Sequence, residues 1–248
     1  MKDRQDLRFL LLQARRPGDR VRDEEQNAFR QQLGVRADQV HGFDIFEADF
    51  DLARSKDFDA VLVGGAGEYG VLDGNPRVDS MVDHLVALAE IGHPVFASCF
   101  GFQALVQGLG GTVVTDEAAA EVGTYVLEST PHAAGDPVFS ALPDQFNAQL
   151  GHKDRAAVLP ASVTNFASSE RCPFQAIRVD GTPVYATQFH PELTWTDNRT
   201  RFERYMPQYG RLFGAEEAQR KLEAHEPSPE ANSLLGRFVD KVLTGGGQ

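Results

Sequence analysis

Residues 96–103 read Phe96-Ala97-Ser98-Cys99-Phe100-Gly101-Phe102-Gln103, and the fold turns on how they are understood. A short apolar run ends on a cysteine, and a helix-like segment starts immediately after it. A strand-to-helix turn this sharp lifts the turn residue off the end of a sheet, onto the face where α/β folds bind ligands. The helix N-terminus beneath would supply partial positive charge that favours a thiolate. The amide of Phe100 would point at the same spot as an oxyanion donor. Gly101 permits close backbone approach in the turn. A cysteine here can also be a small buried hydrophobe, so the surrounding sequence has to decide.

Working outward, the chain before this turn alternates strand-like and helix-like segments. Residues 7–13 form a leucine-rich strand closed by Pro17-Gly18, and Asp19 is placed to cap a helix reaching Leu33. Residues 40–48 alternate as a second strand. Residues 58–63 are a continuous apolar run, as in a buried parallel strand, entering a glycine loop at Gly64-Gly65. Residues 76–91 carry apolar side chains at helical spacing, 94–98 form a strand, and 101–109 a helix ended by Gly110-Gly111. This rhythm predicts an α/β fold with a central, mostly parallel sheet and helices on both faces. Beyond Gly111 come short strand candidates at 112–115, 122–127, 146–150, 164–167, 174–179 and 184–187, read as antiparallel additions. A helical stretch at 196–213 and a final amphipathic helix at 231–243 precede a frayed tail at 245–248. No composition break divides the chain, so residues 1–248 are expected to form one domain with a helical insertion at about 195–228.

A second chemical element follows the last strand: Gln188-Phe189-His190-Pro191-Glu192. A thiol needs a base within reach, and His190 can take its proton and return it to a leaving amine. Glu192 can hold the other imidazole nitrogen and stabilise the imidazolium. The glycines of Val63-Gly64-Gly65-Ala66-Gly67 would let backbone amides approach a bound carbonyl. Taken singly, a His-Pro-Glu turn or a glycine cluster is ordinary loop chemistry.

In this order on this fold, the three elements resemble the class I glutamine amidotransferase family, the triad-type domains found with GMP synthetase, carbamoyl phosphate synthetase and anthranilate synthase. The family's glycine-x-cysteine-x-glycine-x-glutamine motif is matched by residues 97–103, its distal motif by 188–192, and a serine-histidine-glycine-aspartate segment by Gly151-His152-Lys153-Asp154. The resemblance implies a flavodoxin-like fold and a catalytic triad of Cys99, His190 and Glu192. It further implies oxyanion amides at Gly65 and Phe100, and substrate contacts at Gly67, Gln103, Gly151, Lys153 and Asp154. The implied reaction is hydrolysis of the γ-carboxamide of glutamine through a cysteinyl thioester. Ammonia would then pass to a separate synthetase subunit as partner. Three positions depart from the pattern: Ala97 for glycine, Lys153 for glycine, and Gly65-Ala66-Gly67-Glu68-Tyr69 for the common glycine-glycine-proline. The alternatives are a γ-glutamyl peptidase or hydrolase acting on γ-glutamyl conjugates, and a non-catalytic binding module.

Composition excludes other classes. With 36 acidic against 24 basic side chains the formal net charge is −12, which repels nucleic acid phosphates. No apolar stretch is long enough to span a bilayer. The two cysteines, Cys99 and Cys172, are too few for a secreted disulfide scaffold, so a reducing, cytoplasmic setting is expected. The seven histidines show no metal-ligand spacing, and neither a metal nor a cofactor is implied.

Overall fold

A computed structural model describes residues 2–16, 18–48 and 50–245. Pro17, one of the two turn residues expected after the first strand, and residues 246–248 of the expected tail lie outside them. After a single 3-10 turn at Arg4–Asp6 comes β1 (Phe9–Ala14), every residue of which is buried. Such a run, apolar on both faces, suits a central parallel strand. In α1 (Val21–Leu33) the Asp19 carboxylate accepts the Val21 amide at 2.9 Å, and Gly34 closes the helix in the left-handed region at φ 66°. Then follow β2 (Val40–Asp44), the short α2 (Leu52–Ser55), β3 (Ala60–Ala66), α3 (Pro76–Glu90), β4 (Val95–Ser98) and α4 (Phe100–Gly108).

The second half contributes β5 (Thr112–Thr115), β6 (Glu121–Ser129), β7 (Gln145–His152), β8 (Asp154–Val158), β9 (Val163–Ser168), β10 (Ala176–Val179) and β11 (Val184–Thr187). It closes with α5 (Trp195–Arg204), α6 (Met206–Phe213), α7 (Ala215–Glu223) and α8 (Pro229–Phe238). Nine strands join in the order β2-β1-β3-β4-β11-β10-β9-β6-β7, while β5 and β8 pair separately. From β2 to β11 the neighbours are parallel; from β11 to β7 they are antiparallel. The α/β class expected from the sequence is therefore the observed one.

Two apolar cores cover the two faces of the sheet. Leu11 packs with Phe29 and Leu33 of α1 and with Leu234, Leu235 and Phe238 of α8. Its neighbours Leu10 and Leu12 point the other way, onto Met81, Leu85 and Leu88 of α3 and Phe102 and Leu105 of α4. Alternation along one strand thus feeds both layers. A third cluster joins Phe202, Ala218 and Leu222 of α5 and α7 to Val122 of β6.

Several boundaries move. Gly64 and Gly65, expected in a loop, are the last turns of pleat in β3. Glycine is required there because a Cβ at Gly64 would run into the Glu25 carboxylate, and one at Gly65 would stand 3.0 Å from His190 Cε1. The helix expected over 196–213 breaks at Tyr205, where Pro207 in the first turn of α6 cannot continue the α5 ladder. Helix α7 had no distinct sequence signal; Gly214, at φ 88°, separates it from α6. Strand β8 was also hidden, since only Ala156 in it is buried.

Candidate active site

Cys99 sits between β4 and α4 with φ 49° and ψ −99°, the one non-glycine residue with positive φ among the described residues. Such backbone costs about 1–3 kcal/mol and persists only where neighbours hold it. Here the Cys99 amide donates to the Thr187 carbonyl at 2.7 Å, and the Cys99 carbonyl accepts the Gln103 amide at 3.1 Å. Gly101 fits in the first turn of α4 because any Cβ would lie 2.8 Å from those of Ala97 and Val63. The Ala97 methyl, a departure from the usual motif, is accommodated fully buried against that bare glycine. Phe100 opens α4, so its amide has no acceptor one turn back and is free for an incoming oxygen.

His190 and Glu192 follow β11, next to β4 in the sheet. The His190 amide donates to the Gln149 carbonyl at 2.8 Å, which fixes the chain as it leaves the strand. Its ring Nδ1 meets Glu192 Oε1 at 2.6 Å, and both side chains are buried. That bond leaves Nε2 facing the cavity: a Cβ at Gly65 would stand 3.8 Å from it and one at Gly151 3.9 Å. Burial alone would lower the imidazolium pKa; the charges of Glu192 and Cys99 outweigh it and push His190 up to about 10. Glu192 moves the other way. Burial opposes its ionisation, but His190, and more weakly Arg201, hold the carboxyl below its ordinary range.

Cys99 and His190 open on one cavity of about 100 Å³, with Gly65, Gly67 and Gly151 in its wall. Three other residues named from the sequence do not reach it. Gln103 Nε2 donates to the Asp154 carbonyl at 2.8 Å and faces Gln188 Oε1 at 3.4 Å. The Lys153 side chain is exposed while its carbonyl accepts the Asp116 amide at 2.9 Å. The Asp154 carboxylate accepts Thr115 Oγ1 at 2.7 Å. These bonds brace the segment next to Gly151.

Sequence reasoning missed the far wall, which is built by Arg15, Asn198, Arg201, Tyr205, Gln208 and Tyr209. Arg15 directly follows β1, so its place at the carboxyl ends of the parallel strands was a usable signal. Arg201 of α5, Tyr209 of α6 and Tyr205 at the break between them roof the cavity, and this segment packs on β6 through Phe202. Sequence spacing also gave no hint that Glu121, His152 and Cys172 meet, buried, with ligand-capable atoms within 4.8 Å of one another. Hydrogen bonds organise that cluster: His152 joins Glu121 Oε2 at 3.1 Å and the Asp154 carbonyl at 3.0 Å, and Gln175 Nε2 donates to Glu121 Oε2 at 2.6 Å. It anchors the end of β7 behind Gly151. Both cysteines are free thiols.

Comparisons with known proteins agree with this architecture. Residues 28–205 match the family described as glutamine amidotransferase class-I. A glutamine-hydrolysing GMP synthase of Thermosipho melanesiensis is 32% identical over 186 residues, covering 75% of this chain and 33% of the relative. One from Vibrio atlanticus is 29% identical over 167 residues, 67% of this chain and 30% of the relative. The chain thus spans about a third of the length of these relatives. Among solved structures, a glutamine amidotransferase from Thermotoga maritima superimposes with a TM-score of 0.70 at 19% identity, covering 96% of this chain and 98% of that one. Another from Methylobacillus flagellatus gives 0.66 at 15% identity, with coverage of 95% and 94%. With the family model spanning the elements from α1 through the Cys99 turn to the end of α5, the chain belongs to the class I glutamine amidotransferase family.

Proposed function

We propose that the chain is a cysteine-dependent amidohydrolase that releases ammonia and glutamate from glutamine, with Cys99, His190 and Glu192 as its triad. One observation carries the reading: the strained Cys99 turn and the buried His190–Glu192 pair, 2.6 Å apart, open on the same small cavity. Cys99 passes its thiol proton to His190 Nε2 and its Sγ attacks the γ-carbonyl carbon, and the negative charge moves to the carbonyl oxygen between the amides of Phe100 and Gly65. The C–N bond then breaks, the nitrogen takes a proton from His190, and ammonia leaves a thioester on Cys99. Water gives its proton to His190 and adds to the thioester carbon; the C–S bond breaks to free glutamate and the thiol. Glu192 keeps Nδ1 protonated throughout, so Nε2 is the nitrogen that exchanges protons.

Family membership and the glutamine-hydrolysing activity of the relatives support glutamine as substrate. A synthetase that accepts the released ammonia is part of the proposal, in keeping with relatives that are glutamine-hydrolysing GMP synthases. A soluble, cytoplasmic setting belongs to it as well, in keeping with two free thiols and with the finding that no helix among the described residues is long and apolar enough to cross a membrane. The test is to incubate wild type and Cys99→Ala with glutamine and measure glutamate, alongside mass spectrometry after treatment with a diazoketone analogue of glutamine. Cys99-dependent glutamate or a single adduct on Cys99 is expected. Neither signal, from a folded protein, would leave a non-catalytic binding module.

A further inference from the structure

One buried cluster of reactive side chains has no part in the Cys99 chemistry. Glu121 opens β6, His152 ends β7 in register opposite it, and Cys172 comes from the turn between β9 and β10. Among the described residues this is the one group of three His, Cys, Asp or Glu side chains whose ligand-capable atoms come that close, all within 4.8 Å of one another. The Asp154 carbonyl, which can only accept, fixes the hydrogen of His152 on Nδ1 at 3.0 Å. Nε2 is then the nitrogen that faces Glu121 Oε2, 3.1 Å away. Its lone pair and a carboxylate repel at that distance unless a cation joins them, either a second proton on the ring or a metal ion that both ligate. Two acceptors beside the pair favour the metal. Glu121 Oε1 and Gln175 Oε1 are buried without hydrogen-bond partners, although the two side chains meet through Oε2 and Nε2 at 2.6 Å. A proton between His152 and Glu121 leaves both oxygens unsatisfied, whereas a metal ion gives them something to bind.

We propose that Glu121, His152 and Cys172 form a structural site for a zinc-type divalent cation, with the Gln175 carboxamide oxygen as fourth ligand. Thiolate, imidazole and carboxylate together suit a borderline-soft ion, and disfavour magnesium or calcium, which take oxygen shells. Neighbouring ligand atoms in a four-coordinate zinc shell stand about 3.3–3.6 Å apart. The His152–Glu121 pair at 3.1 Å is already near that spacing, and the farthest atoms of the cluster, within 4.8 Å, close by about an ångström. Charge balances as well. The ion displaces the thiol proton of Cys172 and any second proton on His152, so that metal, thiolate and carboxylate sum to zero where all three side chains are buried. The bond from Nδ1 to the Asp154 carbonyl is the outer contact that orients a metal-bound imidazole. The ion takes no part in bond breaking. It pins β6, β7 and the β9–β10 turn together behind Gly151 of the cavity wall, next to the Gln188 amide that donates to the Gln175 carbonyl at 2.8 Å.

The test uses the full chain, produced in cells fed Zn²⁺ or Co²⁺ and purified without chelator. Elemental analysis is expected to find close to one metal ion per chain. The cobalt form should show the visible bands of a four-coordinate site and a thiolate-to-cobalt charge-transfer absorption. Cys172→Ser loses that absorption, while Cys99→Ser keeps it, because the thiol in the Cys99 cavity is not a ligand. A readout on wild type alone guards against a variant that does not fold. In moderate urea, iodoacetamide should label Cys172 on the order of tenfold faster once a chelator is added, since the metal-bound thiolate is blocked until the ion is withdrawn. Protein that carries neither metal overturns the site. So does a charge-transfer absorption that survives Cys172→Ser or disappears in Cys99→Ser, which would place the cobalt at the Cys99 cavity. Labelling of Cys172 at the same rate with and without chelator overturns it as well.

Discussion

His190 Nδ1 and Glu192 Oε1 stand 2.6 Å apart with both side chains buried, so this pair is a charge contact shielded from solvent. Its effect on stability depends on pH with a sign that can be worked out. His190 has its folded pKa raised from 6.5 to about 10, so its contribution is complete below pH 6.5 and is lost as pH rises towards 10. Glu192 is depressed below 4.5, so its contribution is present above that value and is lost as pH falls through its folded pKa. The melting temperature of wild type should therefore exceed that of Glu192→Gln most between pH 4.5 and 6.5, and the gap should narrow as pH approaches 10. A gap that stays constant across that range would mean the pair is not ionised in the folded protein.

Gly65 sets the distance between β3 and the imidazole. A methyl group there would stand 3.0 Å from His190 Cε1, tight enough to push the ring by a few tenths of an ångström. With His190 as the proposed base, displacing it by such amounts costs rate more than stability. Gly65→Ala should lower kcat for glutamate release by about tenfold or more while its melting temperature stays close to wild type. Unchanged turnover would show that the ring can yield without loss.

How much of this was readable beforehand depends on how local each signal is. Cys99, His190 and Glu192 lie within two short segments, each at the end of a strand recognisable from its apolar run. Arg15 and Arg201 are far apart in sequence, and each is an unremarkable charged residue until the sheet order and the fold-back of α5 bring them to one cavity. Gly64 and Gly65 looked like loop because glycine is rare in strands; only the position of Glu25 and His190 shows why they belong to β3. Gln103 matched the motif, yet its side chain turns to the Asp154 carbonyl, a choice made by β8, which the sequence did not reveal.

Glu25 tests the buried ion pair behind the cavity. Its side chain is fully buried, bonded to Arg15 Nη2 at 2.8 Å and to Gln13 Nε2 at 2.9 Å. Removing one partner leaves a buried charge unpaired, which typically costs about 3–5 kcal/mol, whereas replacing both by apolar groups is far milder. Urea unfolding of Glu25→Leu should show a loss of that order, and Arg15→Met with Glu25→Leu should recover much of it. Equal losses in the single and double variants would mean that the two residues contribute independently.

The two thiols should differ sharply in reactivity. Cys172 is buried, and burial together with the charge of Glu121 pushes its thiol well above the ordinary range, so almost none is thiolate at neutral pH. Cys99 instead borders the cavity at the helix N-terminus. Alkylation of the native protein with iodoacetamide at pH 8, followed by peptide mass spectrometry, should place the first label on Cys99. Cys172 should acquire its label only as urea unfolds the chain, because the thiol must leave its contact with Glu121 to ionise. Labelling of Cys172 at a rate independent of urea would show that the loop before β10 opens in the native state, and that the cluster with His152 does not hold the cavity wall closed.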